Sequence, residues 1–266
     1  MYLDYWGLNE KPFENTPDPR FVFYSPAHEE AYARLSYVIS QHKGAAMLTG
    51  EYGAGKTLLG RVLVKELLTE KNSDVALIVN PMLSKIDLLR EILFQLKADT
   101  IPKTKLQILH LLNNILYENH GKKKNTIIIV DEAQVINRKE VFEELRLLLN
   151  FQLNDKFLLT LILIGQPELQ KKIDAIPQLK QRLALTYHLR GLDNTKVSEY
   201  IKHRLKVAGK SEDVFLAGSV EKISEYANGI PRKINNVCEF ALLQAMFDKK
   251  TNIDEELTTK VLEDFS

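Results

Sequence analysis

The sequence predicts an α/β chain: a parallel sheet flanked by helices, followed by a small all-helical segment. Three observations carry this expectation. The short apolar runs "AAMLT", "VALIVN", "TIIIV" and "LLTLILIG" alternate with stretches of helical periodicity, which is the pattern of strands covered on both faces. "LTYHL", near residue 187, adds a candidate fifth strand. From Gly191 onward only helical patterns recur.

In chain order, "PFENTPDPRFVFYSP" carries four prolines and several aromatics and is expected to be ordered but non-helical. Ser25-Pro26 reads as an N-cap with proline at the first helical position. Behind it Ala31, Leu35, Val38 and Ile39 recur at helical spacing. "AAMLT" is the first strand; a glycine turn and a helix to about Lys71 follow. "SKIDLLREILFQLKA" sets Ile86, Leu89, Leu93 and Leu96 on one helical face, and "TKLQILHLLNNILYENH" is a further helix. "KEVFEELRLLLNFQL" is the helix between the "TIIIV" and "LLTLILIG" strands. Beyond residue 191, "TKVSEYIKHRLKVAG", "AGSVEKISEYANG", "IPRKINNVCEFALLQAMFD" and "DEELTTKVLEDF" read as helices, with Gly209 and Gly229 as stops. The expected organisation is a lead-in and first helix over 1–43, an α/β domain over 44–190 and a helical domain over 191–266.

Composition narrows the function. Lys+Arg 36 against Asp+Glu 35 leaves a net charge of +1, so no global field draws the chain to nucleic acid or an acidic membrane. The single cysteine, Cys238, excludes an intramolecular disulfide, sits on an apolar helical face and points to a reducing compartment. "MYLDYWGLNE" lacks the basic and apolar segments of a signal peptide, and "FLLTLILIG" is too short to span a bilayer. The expected location is cytoplasmic, with any membrane association through a partner. The six histidines show no metal-ligand spacing. Lys122, Lys123 and Lys124 read as a solvated loop rather than a nucleic-acid contact, and Lys171 and Lys172 as an exposed helix face.

The chemistry sits in three strand ends. "GEYGAGKT" fits G-x-x-x-x-G-K-[ST] through Gly50, Gly55, Lys56 and Thr57, between a strand and a helix as that motif requires. Glycines let backbone N–H groups converge on a phosphate, and the helix N-terminus adds partial positive charge. Lys56 would reach the β- and γ-phosphates and Thr57 would ligate Mg²⁺; Gly53, Ala54 and Leu58 complete the binding stretch. "TIIIVDEAQ" delivers Asp131 and Glu132 to a strand's C-terminal end, where ligands collect in open α/β sheets. Asp131 would hold Mg²⁺ and Glu132 would orient or deprotonate the attacking water. "LILIGQPEL" ends a strand at Gly165 and Gln166, whose amide is a candidate γ-phosphate contact, the alternative being a simple turn residue before Pro167.

These pieces, in this order, resemble the P-loop NTPases of the AAA+ class over nearly the whole chain. The opening "YWGLNEKPFENTPDPRFVFYSPAHEEA", with "GEYGAGKT", "VDEAQ", "GQPEL", "LKQRLAL" and "GIPRKINNVC", is similar to the ExeA/GspA type of AAA+ ATPase. That type is general secretion pathway protein A-like and includes stand-alone ATPases linked to type II secretion and type IV pilus-like systems. A more distant likeness is to transposition ATPases that load onto DNA. The resemblance implies a five-stranded parallel sheet with a helical lid. It also implies ATP as nucleotide, to which the absence of an N-K-x-D-type guanine-reading run adds. Gln166 would match the polar sensor on the fourth strand. Arg232 in "GIPR" would match the lid arginine that reaches the phosphates, and its charge would couple hydrolysis to the lid. Arg182 in "LKQRLAL" would match the arginine given to a neighbour's site, with Arg146 as its rival; either would imply a homo-oligomer. Tyr24 and His28 are the candidates for the base pocket, or else packing residues of the lead-in. Larger members of the group carry a membrane span and a peptidoglycan-binding region, so with this sequence ending at Ser266 the expectation is attachment to an inner-membrane assembly through a partner. A DNA-loaded regulatory ATPase is the alternative.

Overall fold

The computed structural model describes residues 2–265. Among them the elements run α1 (Tyr2–Trp6), α2 (Pro26–Ser40), β1 (Ala45–Gly50), α3 (Lys56–Thr69), β2 (Ser73–Ile78), α4 (Lys85–Gln95), α5 (Lys105–Gly121), β3 (Asn125–Val130), α6 (Lys139–Leu148), β4 (Thr160–Gly165), α7 (Glu168–Asp174), α8 (Pro177–Lys180) and β5 (Leu183–Leu189). Then come α9 (Asn194–Val207), α10 (Ala217–Ala227), α11 (Pro231–Phe247) and α12 (Glu255–Glu263). By packing, the chain divides into two units. One comprises residues 29–50 and 59–189; the other comprises residues 2–28, 51–58 and 190–265.

The first unit is built on a five-stranded sheet in the order β2-β3-β4-β1-β5, with every pair parallel. Burial explains which strands read clearly. β1 and β4 lie in the interior of the sheet and are buried at every position, so their sequences are almost wholly apolar, with one buried threonine each, Thr49 and Thr160. β5 is an edge strand in which half-buried and exposed residues alternate, which gives "LTYHL" its weaker signature; it begins earlier than that run, at Leu183. β2, the other edge, begins at Ser73, two residues before the apolar run "VALIVN". Leu88, Leu89, Ile92 and Leu93 of α4 join Ile108, Leu112 and Leu116 of α5 in one core with β3 and β4.

Two local readings are corrected here. The helix expected to run through Leu153 stops at Leu148. Phe151 and Leu158 instead hydrogen-bond across a short antiparallel turn with a Gln152–Phe157 bridge, using the polar Asn154-Asp155 pair at its tip. Two short helices follow β4: α7, which carries the expected helix face of Lys171 and Lys172, and α8, which was not read from the sequence; proline precedes the first and opens the second.

In the second unit α9 to α12 pack around Val197, Ile201, Ile223, Ile234, Val237, Leu242 and Leu257. Cys238 is fully buried in the same core, and burial pushes its thiol pKa well up, so it is an inert apolar residue. The aromatic lead-in is part of this core rather than an appendage. Trp6 is buried and donates its indole N–H to the Leu242 carbonyl at 3.0 Å. Arg204, 4% exposed, donates to the carbonyls of Pro12 at 2.5 Å and Glu14 at 2.7 Å and stacks over Phe21. A buried charge needs such partners, and here they are backbone oxygens of the lead-in. Asn235 ties Asn15 to Tyr200 in the same way. Among the described residues no helix is long and apolar enough to cross a membrane.

Candidate nucleotide site

Gly50 closes β1 where it runs beside β5; a Cβ there would stand 2.5 Å from the Leu189 carbonyl oxygen, so only glycine lets the strands pair at that point. Residues 51–58 belong to the second unit. There the loop turns through Gly53 at φ +83° and Gly55 at φ +98°, backbone that side-chain-bearing residues rarely adopt. The Ala54 N–H donates to the Glu51 carbonyl at 3.1 Å, and Lys56 Nζ donates to the same oxygen at 2.8 Å. Lys56, only 5% exposed, opens α3, with Thr57 and Leu58 half-buried behind it. The loop therefore presents a lysine and a hydroxyl at the positive end of a fourteen-residue helix. Cβ atoms at Gly53 and Gly55 would run into Arg232 and His28, so glycines are needed to keep this turn, and its helix end fits a phosphate chain.

Arg232 and His28 both lie against the loop. The tight turn at Gly229, φ +71°, accepts the Leu192 N–H at 2.7 Å and lets Pro231 open α11. Arg232 then donates its backbone N–H to the Gly53 carbonyl at 3.3 Å and lays its guanidinium over the Tyr52 ring at 4.2 Å. A Cβ on Gly53 would come within 2.6 Å of the Arg232 Cβ. His28 is buried, with Nδ1 2.7 Å from Ser25 Oγ and Nε2 3.2 Å from the Ala54 carbonyl oxygen. Burial holds its pKa below the ordinary histidine range. Tyr24 is 42% exposed.

In the sheet unit, β3 delivers the acidic pair. Asp131 is 6% exposed, continues the ladder by donating its N–H to Ile78, and accepts the Glu132 N–H on Oδ1 at 2.9 Å. Glu132 adopts the left-handed conformation at φ +51°, a strained choice for a side-chain-bearing residue that recurs at functional sites. Its Oε2 accepts from Gln134 Nε2 at 2.5 Å, while Gln134 Oε1 accepts the Gln166 N–H at 3.0 Å. Gln134 thus ties the ends of β3 and β4 together, and a Cβ on Gly165 would stand 2.7 Å from its Oε1. The sequence reading had no role for this residue, because its two partners become neighbours only through the pairing of β3 with β4.

Lys172 overturns its reading as an exposed helix residue. Its Nζ donates to the carbonyls of Gln134 at 2.5 Å and Ile136 at 2.8 Å and to Asn137 Oδ1 at 2.9 Å, capping the turn that follows the acidic pair. Lys172→Met should cost about 1–3 kcal/mol by leaving these oxygens without their donor. The check is the denaturant midpoint, which should fall with an unchanged slope.

Four further cations are engaged locally. Arg182 donates to the Leu149 carbonyl at 3.3 Å and to Asn150 Oδ1 at 3.1 Å. It immediately precedes Leu183, which pairs with Ala45, so it stands at the end of β1 opposite Gly50. Arg146 pairs with Glu143 at 2.7 Å. Lys122 pairs with Glu118, and Lys124 with Asp74 at 3.1 Å, as expected of a solvated loop.

A parallel sheet in the order β2-β3-β4-β1-β5, with a glycine-lysine-threonine turn after β1, has the P-loop fold of the AAA+ class. A family model described as an AAA domain matches residues 39–173, and the chain belongs to that family. It is 39% identical over 249 residues to general secretion pathway protein A of Aeromonas hydrophila, covering 92% of this chain and 45% of that protein. The chain thus spans less than half the length of this relative. In structure it is similar to the ORC2 protein of Aeropyrum pernix in ADPNP and ADP complexes, with a TM-score of 0.72 and 18% identity over 96% of this chain and 71% of that one. The RuvB Holliday junction branch migration motor of Thermotoga maritima matches with a TM-score of 0.60 and 19% identity, over 88% and 68% of the two chains. These structural likenesses establish the shared fold.

Proposed function

We propose that the chain binds and hydrolyses Mg·ATP as an oligomer and couples turnover to assembly of a type II secretion or type IV pilus-like machine at the inner membrane. The observation that carries the nucleotide reading is the loop itself: Gly53 and Gly55 in left-handed conformation, Lys56 folded over them, and Arg232 hydrogen-bonded to Gly53. Gly50, Gly53, Ala54, Gly55, Lys56, Thr57 and Leu58 form the phosphate-binding stretch. Lys56 neutralises the β- and γ-phosphates. Glu132 takes the water's proton, and Gln166 and Arg232 report whether the γ-phosphate is present. To Thr57 and Asp131 fall the magnesium roles; the ion, when bound, draws charge off the phosphate oxygens. The identity of the coupled process rests on the likeness to the Aeromonas protein, whose name places it in general secretion. The internal pairing of Lys122 and Lys124 gives duplex DNA no added support as partner.

Arg182 is the residue we assign to a neighbouring subunit's site. It precedes Leu183, which pairs with Ala45 at the opposite end of β1 from Gly50, roughly 16 Å away at ~3.3 Å per residue, and this separation supports a role outside its own subunit's chemistry. ATP turnover per subunit should therefore rise with protein concentration. Arg182→Ala should lower turnover on the order of 10³-fold, and mixing it with Lys56→Ala subunits should restore part of the activity. Turnover per subunit that is constant across dilutions would remove the trans role. Isothermal calorimetry with Mg·ATP tests the reading as a whole.

A further inference from the structure

Glycines free the loop's N–H groups, but something must fix which way its peptides face. The Glu51 carbonyl is held by Ala54 and Lys56, and the Gly53 carbonyl by Arg232. The Ala54 carbonyl is held from outside the loop, by His28 Nε2 at 3.2 Å. A carbonyl oxygen only accepts, so Nε2 carries the proton and Nδ1 is the acceptor. Ser25 Oγ supplies that second bond at 2.7 Å, while itself accepting the His28 backbone N–H at 3.4 Å as the cap of α2. Both ring nitrogens are thereby committed to protein groups. The ring also fills the space beside Gly55: a Cβ there would lie 2.9 Å from Nε2. Peptide planarity gives this contact a consequence. In a trans peptide the C=O of one residue and the N–H of the next point opposite ways, so holding the Ala54 carbonyl toward His28 turns the Gly55 N–H away from it.

We propose that His28 is a positioning residue for the phosphate site: it aims the Gly55 N–H at the bound phosphates and does not stack on the base. This rests on the nucleotide reading above. The test uses the full chain with His28→Phe, which keeps a ring but loses the donor, and His28→Gln, whose amide can reach the same carbonyl. Each is titrated with Mg·ATP and with magnesium tripolyphosphate, and amide exchange of residues 51–58 is followed without nucleotide. His28→Phe should weaken both ligands by the same factor, about tenfold, and speed exchange across the loop; His28→Gln should recover most of each. A loss confined to ATP, with tripolyphosphate binding and loop exchange unchanged, would overturn the proposal in favour of base stacking. If all three measurements match wild type in His28→Phe, the brace does not exist. Failure of the wild-type chain to bind either ligand sinks the nucleotide reading instead, and the exchange comparison still decides whether His28 orders the loop.

Discussion

Lys56→Ala is expected to abolish measurable Mg·ATP binding while leaving the protein folded. Lys56 is almost fully buried, and Nζ reaches back over the loop to the Glu51 carbonyl. Its ammonium is therefore already immobilised in the cradle, and little side-chain entropy remains to be lost when phosphate arrives. Charge-assisted hydrogen bonds are worth about 1.5–3 kcal/mol each, so losing contacts to two phosphates should weaken binding on the order of 10²–10⁴-fold. The loop itself should survive, because Glu51 keeps its bond from the Ala54 N–H and Gly53 keeps its bond from Arg232. Calorimetry with Mg·ATP measures the loss, and a denaturant curve near wild type shows that the fold persists. Wild-type affinity in a folded Lys56→Ala protein would mean that the loop is not the phosphate site. Lys56→Arg should not rescue binding, since a planar guanidinium cannot replace a compact ammonium inside a turn this tight.

How much of this was legible depends on the range of the interactions involved. β1, β3 and β4 announce themselves because both faces of each are covered, so apolar residues dominate each run and no charged residue interrupts it. Lys56, Thr57, Asp131 and Glu132 stood out as candidates because each belongs to a short contiguous motif whose chemistry depends on local spacing. β5 was fainter because an edge strand alternates. Gln134, Lys172 and the brace from His28 follow another logic. Gln134 and Gln166 are 32 residues apart, Lys172 lies 38 beyond Gln134, and His28 precedes Ala54 by 26. Such contacts leave no periodicity in the chain. A lysine in the last turn of a short helix looks solvated until a turn of carbonyls is folded beneath it. The only sequence signal for the His28 contact was Gly55 itself, which could equally be explained by its left-handed backbone alone.

Glu132→Gln should separate binding from chemistry. The substitution conserves size, so the left-handed turn at residue 132 and its bond from the 132 N–H to Asp131 Oδ1 should be retained. It removes the negative charge and the proton-accepting capacity that the proposed base role needs, which is expected to lower ATP turnover by about 10²–10⁴-fold. Nucleotide affinity should stay within a fewfold of wild type, because the phosphate-binding loop is untouched. One bond decides how clean the separation is. Gln134 Nε2 now donates to a carboxylate; in the variant it must meet an amide oxygen, so the new side chain is restricted to the one flip that presents Oε1 to Gln134. Gln134 in turn holds the Gln166 N–H, so Gln134→Ala should also impair turnover, by loosening both groups at once, with a smaller loss than Glu132→Gln. Single-turnover hydrolysis paired with equilibrium binding distinguishes the outcomes. Intact turnover in Glu132→Gln would move the base role to another residue, whereas lost affinity alongside lost turnover would show that the carboxylate acts in the ground state as well.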